Sequence, residues 1–190
     1  MSAFDGEHGA APARTLDRAR TALVVIDVQE AFAKAVERFA QVADQTAILV
    51  KGAQVLGLPV LVTEQYPRGL GDTADPVRSA LGEDVERLPK TVFSAARADG
   101  FDLAGRDQAL VCGIETHVCV NQTVHDLLGG GVEVHVAVDA VGSRTAANRE
   151  LGLRKMAESG AILTSVETAL FELLGEAGSD EFKTIQKLVM

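Results

Sequence analysis

Two kinds of apolar pattern alternate along this chain. "TALVVI" (21–26) is short, continuously apolar and rich in β-branched residues, the mark of a strand buried on both faces. Residues 38–56 instead space Phe39, Val42, Ile48, Leu49 and Val55 as a helical stripe that stops at Gly57. A second buried strand, "LPVLVT" (58–63), follows. A stretch rich in Gly, Pro and Asp (67–76) then breaks the pattern before a short helix near 76–81. "ALVCGI" (109–114) reads as the next strand. It leads into a helix from about residue 117 to 128 with a stripe of Val120, Val124, Leu127 and Leu128, stopped by glycines 129–131. "VEVHVAV" (132–138), a helix at 146–158, "AILTS" (161–165) and a closing helix at 166–174 complete the predicted elements. A short stretch around Lys90 offers one further strand.

Strand–helix alternation at this spacing predicts a single α/β domain. It is a three-layer sandwich, with a mostly parallel sheet of about six strands and helices on both faces. Residues 1–18, rich in Ala, Gly and charge, read as a poorly ordered or loosely docked lead-in, which leaves 19–190 as the domain. No repeat, linker or low-complexity segment divides it.

Composition narrows the function classes. With 190 residues, 47% hydrophobic and 24% charged, the chain has the balance of a packed soluble protein. Its formal net charge of −9 opposes binding to nucleic acid or an anionic membrane, since both need basic patches. No apolar run approaches the ~20 residues of a membrane span, and the start has no signal-peptide pattern. Cys112 and Cys119, its two cysteines, match neither a CxxC redox motif nor a zinc framework, so a reducing, cytoplasmic setting is expected.

In open α/β sheets, sites form beyond the carboxyl ends of the strands. Asp27 stands there after the first strand. Thr63, Glu64, Gln65 and Tyr66 follow the second, and Glu115, Thr116, His117 and Cys119 follow "ALVCGI". Cys119 would lie in the first helical turn, with Thr116 as N-cap, where free backbone N–H groups favour a thiolate. The competing reading is a buried, inert cysteine. Cys112, inside the strand, reads as core. His117 is a candidate base for Cys119, but residues two apart on a helix point to different faces. Asp27 is a carboxylate emerging from an apolar strand, which is costly unless it is paired or used. Lys90 alone carries almost no signal. A buried Asp–Lys–Cys cluster would differ, since the carboxylate could take the thiol proton beside a stabilising ammonium.

Three blocks in order, "ALVVIDVQEAF" (22–32), "RLPKTVFSA" (87–95) and "VCGIETHVCVNQT" (111–123), make the chain resemble the isochorismatase-like cysteine hydrolases. That family includes nicotinamidases, carbamoylsarcosine-type amidases and many unassigned members. "TEQYPRGLGDT" (63–73) and "EFKTIQKLV" (181–189) resemble more closely its uncharacterised isochorismatase-domain-containing subgroup. The resemblance runs from about residue 20 to the end and implies a Rossmann-type fold.

It also implies a triad of Asp27 as general base, Lys90 as charge partner and Cys119 as nucleophile, acting on an amide through a thioester. The implied oxyanion donors are the backbone N–H groups of Glu115 and Cys119, with a cis peptide at Ile114–Glu115. Phe32 is implied as a pocket wall, and Gln29, Tyr66 and Phe93 are further candidates for substrate binding. The expected partners are a small-molecule substrate and other copies of the chain in a homo-oligomer, with no nucleic acid and no membrane. No cofactor is expected. Nicotinamidases hold a metal with an Asp and histidines after the second strand; "TEQYP" stands there instead, so no metal site of that kind is expected. Two other readings stand beside the amidase: isochorismate-type ether hydrolysis with Asp27 as acid, and a non-catalytic module that keeps the fold.

Overall fold

Strand β1 (Thr21–Ile26) is buried at all six positions, and its side chains divide by parity. Leu23 and Val25 join one apolar cluster, Val24 and Ile26 another, which is what a strand covered on both faces requires. The computed structural model describes residues 14–190. In it β1, β2 (Val60–Gln65), β3 (Arg87–Lys90), β4 (Gln108–Ile114), β5 (Glu133–Gly142) and β6 (Ile162–Thr164) form one parallel sheet. The strand order is β3-β2-β1-β4-β5-β6.

Helices α1 (Phe39–Val55), α3 (Asp75–Leu81), α6 (Val166–Leu174) and α7 (Asp180–Val189) cover one face. α4 (Asn121–Gly129) and α5 (Ala146–Glu158) cover the other, and α2 (Pro67–Leu70) is a single turn after β2. This is the three-layer α/β sandwich expected. Successive strands move one way from β1 and the opposite way from β4, so right-handed crossovers send α1 and α4 to opposite faces. The chain segments leaving the carboxyl ends of β1 and β4 therefore diverge to opposite faces, opening a crevice beyond the strands.

Gly113 lets these two strands meet there. It pairs with Ile26 in register, has φ 128°, and a Cβ built on it would sit 2.0 Å from the Ile26 carbonyl oxygen. Only glycine fits both constraints. The β4 backbone is thus pressed against β1 immediately before Asp27 on one strand and Glu115 on the other.

Several elements differ from the sequence reading. β2 runs two residues later than expected, because Glu64 and Gln65 pair with Pro89 and Lys90 of β3 and so belong to the sheet. The helix expected from 117 begins as a π-helical turn, Thr116–Val120, in which the Val120 N–H donates to the Glu115 carbonyl at 3.3 Å. Thr116 is not its N-cap; Glu115 occupies that position, and the Thr116 hydroxyl is buried without a partner.

The elements also do not close at residue 174, since α7 follows. Ser179 caps it by accepting the Phe182 N–H at 3.0 Å, and Ile185 is fully buried under the sheet's first cluster. Of the lead-in, residues 1–13 lie outside the described residues. Residues 14–18 are tied down rather than loose: Leu16 is in the core, and the Asp17 N–H donates to Gln108 Oε1 at 2.8 Å.

Candidate active site

Asp27 leaves β1 with φ 52°, a left-handed turn that swings its carboxylate off the strand axis into the crevice. The side chain is wholly buried, yet both oxygens are bonded. Oδ1 accepts from the Thr63 hydroxyl at 2.7 Å and Oδ2 from Lys90 Nζ at 2.6 Å. Lys90 ends β3, and its ammonium is also at zero exposure. Besides Asp27, Lys90 Nζ donates to Gln65 Oε1 at 2.6 Å and to the Phe93 carbonyl at 3.0 Å, with the Val92 carbonyl at 3.3 Å. Taking two opposite charges out of water is tolerable only when pairing and further hydrogen bonds meet them both, as they do here.

Cys119 enters from the π-helical turn after β4 and is 5% exposed. Gln65 Oε1 lies 4.0 Å from Sγ. The Asp27 carboxylate is near enough for its charge to act on the thiol. The structure thus brings Asp27, Lys90 and Cys119 together from three different strand ends.

The electrostatics differ from the thiolate expected at a helix N-terminus. Burial first, and the Asp27 charge second, push the Cys119 thiol up to about 12, outweighing the pull of Lys90 and of the Glu115 N–H. The resting group is a neutral thiol. Burial likewise raises Asp27 above its ordinary value, against the Lys90 charge and the hydrogen bonds of Lys90, Thr63 and Cys119. A carboxylate held this way is a stronger base than an exposed one.

The remaining candidates fall into place unevenly. The Glu115 side chain turns away to Arg144, whose backbone N–H and Nε donate to Oε1 at 3.0 and 3.1 Å. His117 points elsewhere too: Nδ1 is 3.1 Å from the Ser143 hydroxyl. Gln29, expected as a substrate contact, is fully buried and clamps the Gln65 backbone instead. Its Oε1 accepts the Gln65 N–H at 2.8 Å, and its Nε2 donates to the Gln65 and Gly71 carbonyls at 3.1 and 2.6 Å. Both amide protons are spent, so none is left for a substrate.

Phe32 is half-buried against the α1-side cluster, while Tyr66 and Phe93 are 55% and 52% exposed. A cleft of 610 Å³ has Tyr66, Lys90 and Arg97 on its walls but neither Asp27 nor Cys119. Glu64 is committed to Thr73, accepting its N–H at 2.8 Å and its hydroxyl at 2.6 Å. Among the described residues no three His, Cys, Asp or Glu side chains gather to hold a metal.

Gln65 is the residue sequence reasoning passed over. It was visible as one of four polar residues after a strand, but its position between Lys90 and Cys119 depends on contacts that no local pattern carries.

Comparison with known proteins agrees with this architecture. Residues 21–168 match the model of the isochorismatase domain. The secreted isochorismatase effector Isc1 of Phytophthora sojae is 42% identical over 174 residues, spanning 88% of this chain and 83% of that protein. Human isochorismatase domain-containing protein 2 is 40% identical over 170 residues, spanning 88% of this chain and 82% of that one. The solved structure of MAR1 ribonuclease from Caenorhabditis elegans superposes with a TM-score of 0.86 at 37% identity, covering 92% of each chain.

Proposed function

The chain belongs to the isochorismatase family, and from that premise we propose that it is a metal-independent cysteine hydrolase of a small-molecule amide. One observation carries the reading. Asp27, Lys90 and Cys119 converge in a buried niche with the acid–base partner and the nucleophile adjacent.

In the proposed cycle Asp27 takes the Cys119 S–H proton as the sulfur attacks the amide carbonyl carbon. The developing oxyanion is received by the backbone N–H groups of Glu115 and Cys119. Asp27, now protonated, gives its proton to the departing amine, the C–N bond breaks, and a thioester on Cys119 remains. Water then loses a proton to Asp27 and attacks the thioester carbonyl. The carboxylic acid leaves, and the proton returns to sulfur. Lys90 keeps the carboxylate compensated through each transfer without giving up its own proton.

Screening a panel of small amides, with intact-mass detection of an acyl adduct on Cys119, tests the proposal. Hydrolysis that persists at full rate in Cys119→Ala would overturn it. A second reading is favoured by the raised proton affinity of Asp27, which suits a carboxylic acid protonating a vinyl ether. It predicts that Cys119→Ala retains ether cleavage. The ribonuclease name of the worm relative is not carried over, since a chain of net charge −9 opposes a polyanionic substrate. Both free thiols suit a reducing, cytoplasmic setting. Assembly into a homo-oligomer belongs to the same proposal and would cover the exposed Tyr66, Val92 and Phe93.

A further inference from the structure

We infer that Gln65 is a positioning residue of this site, whose carboxamide oxygen takes the Lys90 N–H that would otherwise face Cys119 and so keeps the ammonium off the sulfur. The inference deepens the hydrolase reading and rests on Cys119 as its reactive group.

An ammonium has three protons to donate. For Lys90 the acceptors are Asp27 Oδ2 and Gln65 Oε1, each at 2.6 Å, and the Phe93 carbonyl at 3.0 Å, with Val92 sharing at 3.3 Å. No donor remains for sulfur. Of the Lys90 acceptors, Gln65 Oε1 also stands against the thiol, 4.0 Å from Cys119 Sγ. The carboxamide cannot be reversed, because its Nε2 donates to the Thr91 carbonyl at 2.9 Å and a flip would set N–H against N–H at Lys90.

The Gln65 backbone is equally fixed, held on both its N–H and its carbonyl by the Gln29 carboxamide. Gln29 is in turn anchored to the Gly71 carbonyl at 2.6 Å. Gln65 is itself only 8% exposed. A rigid neutral acceptor in this place has a definite effect. The sulfur keeps its proton at rest, since burial disfavours the thiolate and the Lys90 protons are engaged by oxygens, and the route left for that proton is transfer to Asp27. The nucleophile stays unreactive until a substrate carbonyl is in place.

The test is the pH profile of Cys119 alkylation by iodoacetamide on the purified full-length protein, read by peptide mass spectrometry with Cys112 as internal reference. Gln65→Met keeps the length of the side chain but offers no acceptor, so a Lys90 proton is freed toward sulfur. Its profile should move to lower pH by about one unit, giving about tenfold faster labelling near pH 7.5. Gln65→Glu keeps the shape and adds a negative charge, so it should slow labelling by about tenfold.

A packing role alone would lower Tm in both variants without moving either profile. Profiles within about twofold of the wild type, in either variant that folds, overturn the inference. The readout needs no substrate. If amide hydrolysis survives Cys119→Ala, the hydrolase reading fails while the Gln65 profile still stands or falls on its own.

Discussion

Lys90 Nζ lies 2.6 Å from Asp27 Oδ2 with both side chains at zero exposure, and every proton of that ammonium is accepted by oxygen rather than by the neighbouring sulfur. The consequences of this pairing for Cys119, for Asp27 and for the stability of the fold can each be measured.

Cys119 and Cys112 both have thiols pushed up to about 12, in each case by burial first. Access, not acidity, should therefore separate them. Iodoacetamide should label Cys119, which has a trace of exposure, well before Cys112, which has none. The Cys119 rate should go on rising about tenfold per pH unit past pH 8.5, where an ordinary thiol levels off. Equal labelling of the two cysteines, or a plateau below pH 8, would contradict this.

Asp27→Asn keeps the shape of the carboxylate but cannot accept a proton. Turnover should fall by about 10²–10⁴-fold, the usual share of a general base. Removing the negative charge also removes one cause of the raised thiol value while the Lys90 pull remains. Alkylation of Cys119 near neutral pH should thus become faster as catalysis is lost. A variant slow in both assays would show that the substitution had simply distorted the site.

Lys90→Met strands the Asp27 carboxylate in a dry site. Breaking one side of a buried pair costs about 3–5 kcal/mol at neutral pH. The loss should depend on pH in a stated direction. Asp27 has a folded-state value raised above 3.8, and losing Lys90 raises it further. Its protonated form is then the one the fold accepts, so the variant should be most stable below the unfolded value and weaken as pH rises through the folded one. Urea titrations at several pH values would show this; a loss independent of pH would argue against it.

His117→Ala removes a hydrogen bond to Ser143 and nothing that touches Cys119. Stability should fall by about 0.5–1.5 kcal/mol and kcat by less than about threefold. If this variant is as inactive as Asp27→Asn, the imidazole is the base after all.

Turnover should survive chelation. The carboxylate at the position of a metal ligand, Glu64, accepts two hydrogen bonds from Thr73. Loss of activity in EDTA, restored by a divalent metal, would refute the metal-independent cycle.

The parts of this molecule that were readable from sequence are those in which local pattern and burial coincide. β1 and β4 announce themselves as apolar runs because both faces of each are covered, and Asp27 is conspicuous as the charge that ends one of them. Helix α7 left a fainter trace. Ser179 followed by two acids and then Phe182, Ile185, Leu188 and Val189 at helical spacing was available as a signal, but the polar residues between them masked it.

The π-helical turn at Thr116–Val120 had no such trace. α5 packs there against the Thr116 backbone, an approach that Gly152 permits, since a Cβ would lie 2.9 Å from the Thr116 carbonyl oxygen. Gln65 was illegible for a related reason. A glutamine after a strand says nothing until Gln29, 36 residues earlier, is seen holding its backbone.

The two carbonyls that complete the Lys90 shell come from Val92 and Phe93, which are 43% and 52% exposed at the surface. Surface segment and buried charge are thereby a single mechanical unit. Lifting this segment would strip acceptors from a dehydrated cation, a penalty that grows with every ångström of opening. A segment so tethered is held to the buried pair whose shell it completes.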